Sequence, residues 1–449
     1  MLGTDRPAAS ILARTAHAFA LALPPVLALA LPLALLPAPA RADETCQSPY
    51  LPKLVGQEDF IYVWTVGIEG LGDGSDKLVT VAVHPDRPDY GKVVHRVSVG
   101  SRNEAHHAGF TDDRRFLWAG GLDTSRIFVF DVGSDPAHPR LVRTIEDFPE
   151  KTGWMGPHTF YPIPGRMLIT GLSNAEDRGG RTGFAEYTND GRLVRTVPMP
   201  EDASYGYDMR INPQLNRMLS SSFAGHRNYM RKLSELMGDA EAMKAFGNTM
   251  VVWDFHARRP LQVLEVPGAP LEIRWALAPD AEYAFTTTAL TSKIWGVFRQ
   301  PDGRFEAVEV GTIGDPAKIP LPVDISLSRD DKTLFVDSFM DGMVRVYDVS
   351  DPRAARLVYE KKIGGQVNMV SQSWDGKRVY FTSSLLANWD GTGDPGDEQF
   401  LKGFTWDGKA LTPTFAIDFR AEKLGRPHHM HFGQLGFWGT PVGAGAAAN

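Results

Sequence analysis

Two adjacent histidines, His106 and His107, and a second group near the other end of the chain, His428, His429 and His431, are the residues of this sequence best suited to chemistry. Imidazole nitrogens bind transition metals and carry protons near neutral pH. The chain has 12 histidines in 449 residues, so five of them in two short segments point to a metal site that the fold must assemble. His158, in Gly-Pro-His-Thr-Phe, is a sixth candidate, and Asp208, Glu272 and Asp324 supply carboxylates as ligands, partners of ligands or proton carriers. Such a set suits copper, zinc or iron, and nitrogen donors without thiolate or thioether lean toward copper or zinc. The bland alternative is a polar, water-filled channel, in which a single histidine such as His158 is more often structural. His84, His95, His138, His226 and His256 are assigned to surface or structural roles.

Residues so far apart meet only if the fold returns to the same place. A degenerate repeat supplies the means. Thr111-Asp112-Asp113-Arg114-Arg115-Phe116-Leu117-Trp118, Arg329-Asp330-Asp331-Lys332-Thr333-Leu334-Phe335-Val336 and Trp374-Asp375-Gly376-Lys377-Arg378-Val379-Tyr380-Phe381 share an acidic turn, a basic residue and a β-rich run. A partner strand ending in Asp often follows, as in Ile127-Phe128-Val129-Phe130-Asp131 and Val344-Arg345-Val346-Tyr347-Asp348. This is the cadence of an all-β chain folded as a β-propeller, with four antiparallel strands per blade.

Taking the strand before each acidic turn as innermost puts blade starts near His107, His158, Asp208, Glu272, Asp324, Asn368 and His429, which makes seven blades. The strands within residues 60–99 precede all of these, so they are expected to complete the last blade with the C-terminal strand and close the ring non-covalently. Blades one, two and seven are then neighbours, and their imidazoles converge on one side of the central channel. Simple alternation puts His429 and His431 on one face of their strand and His428 on the other, and likewise separates His106 from His107. Residues 228–246 read as a helical surface excursion, with Leu233, Leu236, Met237 and Met243 marking an apolar face. Trp118, Trp154, Phe160 and Trp275 are candidates either for a substrate pocket or for packing between blades.

The N-terminus predicts export. Arg6 and Arg14 precede an Ala/Leu/Pro stretch over residues 16–38, and Ala40-Arg41-Ala42 offers small residues at a cleavage site. Residues 1–42 are therefore expected to be a cleaved signal peptide and residues 43–449 a single exported propeller domain without stable membrane insertion, since prolines interrupt the apolar stretch and no second span follows. One cysteine, Cys46, allows no intrachain disulfide. A net charge of −7 with mixed signs argues against nucleic acid. Self-association into a homo-oligomer is left open.

The chain resembles the selenium-binding proteins, whose enzymatic members are methanethiol oxidases. The resemblance covers the mature chain and is carried by Asn103-Glu104-Ala105-His106-His107-Ala108-Gly109-Phe110, Pro157-His158-Thr159, Tyr205-Gly206-Tyr207-Asp208, Pro270-Leu271-Glu272-Ile273-Arg274 and Val323-Asp324-Ile325-Ser326. It implies a seven-bladed propeller, a periplasmic location, a copper cofactor and oxidation of a small thiol by O2 and water to formaldehyde, hydrogen sulfide and hydrogen peroxide. It also implies that His106, His107, His158 and one or more of His428, His429 and His431 hold the metal. Better-known members carry one histidine followed by Glu in the C-terminal motif, so the resemblance does not choose among the three. The family's Cys-x-x-Cys after the double histidine has no counterpart in residues 109–115, which excludes a thiol-bound second metal there. Two alternatives stand beside this expectation: a non-catalytic metal-binding scaffold, and a lactonase-like hydrolase with a hard cation on Glu272, Asp208, Asp324 and Asn368.

Overall fold

A computed structural model describes residues 47–54, 56–391 and 398–436. The expected signal segment and Cys46 lie outside the described residues. The described chain forms seven four-stranded antiparallel sheets, each running outward from an inner strand. The inner strands are Ala105–Phe110, Trp154–Ile163, Met209–Asn212, Pro270–Trp275, Pro322–Leu327, Val370–Gln372 and Arg426–Gly433, and every expected blade start falls in or just before one of them. In the seventh blade, Arg426–Gly433 pairs with Phe60–Val66, followed outward by Lys77–Ala82 and Lys92–Ser98. Strands from the two ends of the chain thus close the ring by hydrogen bonds alone.

Burial follows the layers. Phe60–Val66 is buried at every position, whereas the outermost strands, such as Lys92–Ser98 and Arg356–Lys362, alternate with solvent. The faces between blades are filled by large aromatic and aliphatic side chains. Trp118, Trp154 and Phe160 share the cluster between blades one and two, and Trp275 sits between blades three and four, so these rings pack blades together. Between blades seven and one, the Trp64 ring lies 5.7 Å from Phe128 and 5.6 Å from Phe130, and its Nε1–H donates to the Gly120 carbonyl at 2.9 Å. Closure is reinforced from the other side. The Glu58 carboxylate, fully buried just before the closing strand, accepts from Arg378 Nε at 2.7 Å, from Arg378 Nη2 at 2.9 Å and from the Tyr380 hydroxyl at 2.5 Å, which ties it to blade six.

Strict alternation fails at the channel, and this corrects the facing expected for the histidines. In blade one, Ala105 pairs with Gly121 and Ala108 with Ala119, so His106 and His107 together oppose the single residue Gly120. The extra residue is a β-bulge, which turns both side chains the same way. Blade seven repeats it, with His428 and His429 opposite Trp64. His158 and Thr159 oppose Thr170, Leu271 and Glu272 oppose Thr287, and Val323 and Asp324 oppose Asp337 in the same manner. The Trp64–Gly120 hydrogen bond joins the two residues that face the histidine bulges, holding both in one register.

The excursion at residues 228–246 also differs from expectation. It comprises three short helices, His226–Tyr229, Leu233–Met237 and Ala240–Lys244. Leu233 and Leu236 are buried while Met237 is exposed, and the segment packs with residues of blades one to six over one end of the channel. Asn388 Nδ2 donates to the Met230 carbonyl at 2.8 Å and Trp389 Nε1 to the Arg231 carbonyl at 3.1 Å, fixing it to blade six. It is a roof. Among the described residues no helix is long and apolar enough to cross a membrane.

Replacing Trp64 by Phe removes the donor to Gly120 and leaves a void among Phe128 and Phe130. We expect a loss of about 2–4 kcal/mol in the unfolding free energy, read from denaturant titration.

Candidate metal centre

The bulges bring four imidazoles into one buried cluster. Ring centroids of His106 and His428 are 3.9 Å apart, those of His107 and His158 4.0 Å, and those of His106 and His107 4.9 Å. Such proximity requires close approach of blades one and two, and glycines provide it. A Cβ on Gly120 would stand 2.5 Å from the Pro157 carbonyl, and one on Gly109 would run into the carbonyl of Phe160.

Each of three rings commits one nitrogen to the backbone and leaves the other bare. His428 Nδ1 lies 2.7 Å from the Ser384 carbonyl, which can only accept, so this nitrogen carries the proton and Nε2 keeps a lone pair. His106 is bonded to the backbone of Leu385 and His158 to that of Tyr207. The remaining nitrogens, His106 Nδ1, His158 Nε2 and His428 Nε2, are buried without a hydrogen-bond partner, as is Glu272 Oε1. Four orphaned buried acceptors in one place would cost several kcal/mol without a ligand. A metal ion answers this need. Ligand atoms of His106, His107 and His428 lie within 4.8 Å of one another, and so do those of His107, His158 and Glu272. Burial, together with the neighbouring imidazoles, pushes His106 and His107 well below the usual imidazole range, and burial takes His158 and His428 down to about 3. All four rings are neutral at physiological pH, the form that binds metal.

The other two C-terminal histidines do something else. His429 Nδ1 accepts the Ala108 N–H at 3.0 Å, and His431 Nε2 donates to the Ala108 carbonyl at 2.8 Å. Together they clamp the peptide that follows His107, so the double-histidine bulge is held by blade seven. The His429 ring remains 4.6 Å from His107, whereas His431 packs against Phe110.

The three acids part company as well. Asp208 accepts Met209 N–H at 2.8 Å and Thr159 Oγ1–H at 3.1 Å on one oxygen and Ile273 N–H at 2.9 Å on the other. Asp324 accepts Ile325 N–H at 2.8 Å and Val370 N–H at 3.0 Å. Each therefore stitches its own blade to the next, with no oxygen to spare for a cation. Glu272 alone keeps one. Its Oε2 accepts from Arg210 Nη2 at 2.9 Å and Arg274 Nη1 at 3.0 Å, while Oε1 faces His107 Nε2 at 3.9 Å. Burial opposes ionisation of Glu272, but Arg274 and Arg210 outweigh it and hold the carboxyl below its usual value. Among the described residues the acids and histidines close enough to share an ion are His106, His107 and His428, and His107, His158 and Glu272, so the all-oxygen ligand set of a hard cation does not assemble.

Arg210 and Arg274 were not singled out from the sequence, although Asp208-Met209-Arg210 and Glu272-Ile273-Arg274 carry the signal: an acid and an arginine two apart on a strand share a face. The cluster also separates two chambers with no lining residue in common. One, a small space beneath the helical roof, is apolar and reaches His106, Tyr207 and Leu385. The other is lined by Arg210, Arg274, Asp324, Gln372, His429 and His431.

The sequence profile of the 56 kDa selenium-binding protein (SBP56) family matches residues 40–432. The chain belongs to this family. Among curated members of SBP56 it is 55% identical to a methanethiol oxidase of Ruegeria pomeroyi, over 90% of this chain and 96% of the relative, and 55% identical to a methanethiol oxidase of a Hyphomicrobium species, over 90% and 93%. The crystal structure of a hypothetical selenium-binding protein from Sulfolobus tokodaii superposes with a TM-score of 0.72 at 27% identity, covering 84% of this chain and 93% of that one. The SBP56 propeller thus carries the cluster described above.

Two substitutions separate holding the metal from holding the strand. After growth with copper and zinc, His428→Ala is expected to lower bound metal at least about tenfold. His431→Ala should retain it while losing about 1–3 kcal/mol of stability through the unpaired Ala108 carbonyl. Elemental analysis and thermal melting check the pair.

Proposed function

We propose that this protein is a copper-dependent methanethiol oxidase, converting methanethiol, O2 and water to formaldehyde, hydrogen sulfide and hydrogen peroxide. Identity of 55% to two methanethiol oxidases over 90% of the chain supports the reaction. The convergence of His106 Nδ1, His158 Nε2, His428 Nε2 and Glu272 Oε1, all buried and unpartnered, carries the metal reading. His106, His107, His158 and His428 would hold the ion, and four nitrogen donors without a thiolate favour copper. Copper bound there would supply affinity for a thiolate sulfur and one-electron exchange with O2.

The surrounding residues have separate tasks. Glu272 Oε1 takes the thiol proton: it is anionic, lacks a hydrogen-bond donor and sits 3.9 Å from His107 Nε2. Arg210 and Arg274 keep Glu272 ionised and aim its free oxygen. Asp208 and Asp324 position those arginines, at 2.9 Å and 2.7 Å, rather than exchanging protons with substrate. Ser384, Leu385 and Tyr207 fix ring tautomers through their carbonyls. Water enters and peroxide leaves on the arginine-lined side, where both find hydrogen-bond partners. We further propose that residues 1–42 direct export and that the mature enzyme works in the periplasm; N-terminal sequencing of the periplasmic protein should begin just after Ala42.

Copper-loaded enzyme should consume O2 and methanethiol in equal amounts and release formaldehyde, sulfide and peroxide in the same proportion. Absence of O2 uptake by fully loaded protein rejects the reading. Glu272→Gln should lower kcat by about 10²- to 10⁴-fold, the range for loss of a proton acceptor. Elemental analysis of that variant shows whether copper is retained.

A further inference from the structure

We propose that the apolar chamber beneath the helical roof is the binding site for the alkyl group of the substrate, and that it restricts the enzyme to uncharged, short-chain aliphatic thiols. The inference rests on the thiol-oxidising reading above and adds which face of the metal cluster receives the substrate and what sets its limits.

The chamber ends on His106, so a sulfur at the cluster has its carbon within the chamber's reach. Leucine, valine, alanine and aromatic side chains make up the rest of its wall, and no charged side chain lines it. The inner strands pass from one chamber to the other within a few residues. Leu271 lines the apolar side and Arg274 the polar side, and Val323 and Asp324 divide in the same way. A thiol therefore meets the cluster between two unlike environments, and its two ends sort accordingly. Burying a methyl or ethyl group on the apolar side gains about 0.8 kcal/mol per CH2, whereas an ammonium or carboxylate there would lie unpaired in a low-dielectric space. Amino-acid thiols such as cysteine are thus excluded by desolvation rather than by shape.

Chain length is set by the roof. Phe246 and Tyr229, both buried, come from the helical excursion and close the chamber opposite the cluster. The Phe223 ring packs 5.2 Å from Phe246 and 5.4 Å from Tyr207, whose own ring is 4.0 Å from His158. Aromatic contacts therefore run unbroken from the roof to the ligand ring of blade two. Ala289, from blade four, is a small side chain in the same wall, so a larger residue there would fill the chamber.

Three proteins test this: wild type, Ala289→Phe to fill the chamber and Phe246→Ala to lengthen it, each folded by circular dichroism and with copper content measured. Kinetics are taken with methanethiol, n-butanethiol and cysteine. Xenon, which fills dry apolar cavities, is titrated into the anaerobic copper-loaded protein and followed by its NMR chemical shift. Wild type should bind xenon and turn over cysteine at least about a hundredfold less efficiently than methanethiol. Ala289→Phe should abolish xenon binding and raise KM for methanethiol at least about tenfold with copper unchanged. Phe246→Ala should favour n-butanethiol over methanethiol, in relative kcat/KM, by at least about tenfold more than wild type does. Unchanged KM in copper-loaded Ala289→Phe, an unchanged chain-length ratio in Phe246→Ala, or efficient turnover of cysteine by wild type overturns the proposal. Should wild type oxidise no thiol, the reaction assignment falls on its own. In that case xenon binding lost in Ala289→Phe still supports the chamber as an apolar ligand site, and xenon binding absent from wild type overturns it.

Discussion

One extra residue in an inner strand is the constraint on which the rest of this structure depends. A strand shows alternate side chains to opposite faces, so an unbroken inner strand could send only one of two consecutive histidines to the cluster. The bulges at His106–His107 and His428–His429 remove that limit, and the matching bulges at His158, Glu272 and Asp324 bring the other groups to the same level of the channel. A bulge leaves backbone groups out of the ladder, and these must find partners elsewhere. Here the partners are side chains of the site itself. His429 and His431 take both backbone groups of Ala108, Thr170 Oγ1 accepts Thr159 N–H at 3.0 Å, and Asp337 accepts Asp324 N–H at 2.8 Å. The distortion that builds the site and the polar groups that stabilise it are one system.

Charge is managed by the same economy of position. Asp208, Glu272 and Asp324 meet Arg210 and Arg274 in a buried network in which every carboxylate touches at least one guanidinium. Buried ions that lose a partner cost several kcal/mol, so this network resists rearrangement. It leaves Glu272 Oε1 without a hydrogen-bond partner, 3.9 Å from His107 Nε2. The histidines are treated oppositely: they are kept neutral by burial and by one another, with one nitrogen each of His106, His158 and His428 fixed on a backbone carbonyl. A carboxylate–guanidinium network on one flank and a neutral, lone-pair-rich cluster on the other give the centre its polarity.

That polarity continues into the two chambers. The roof is built from the excursion of blade three, stapled to blade six by Asn388 and Trp389, and it closes the apolar end of the channel. The opposite end stays polar and widens into a further space bounded by Lys53, Tyr161, Arg210 and Arg274. A pseudo-symmetric propeller has thus become a one-way assembly, with unlike access to the two sides of its centre.

Much of this was legible in the chain. Acidic turns followed by β-rich runs carry the blade period, strand counting puts the termini in one blade, and His106, His107, His158, Asp208, Glu272 and Asp324 stand out because polar, chemically capable residues recur at blade starts. These are local properties: turn preference, side-chain period and residue type are carried by the segment itself. The sequence could not say that His428, rather than His429 or His431, completes the cluster, that Asp208 and Asp324 spend their oxygens on neighbouring backbones, or that residues 228–246 roof a chamber. Each of these depends on pairing with a strand far away in sequence. Whether a bulge forms opposite Trp64 is decided by the register between the two ends of the chain, and that register exists only once the ring has closed.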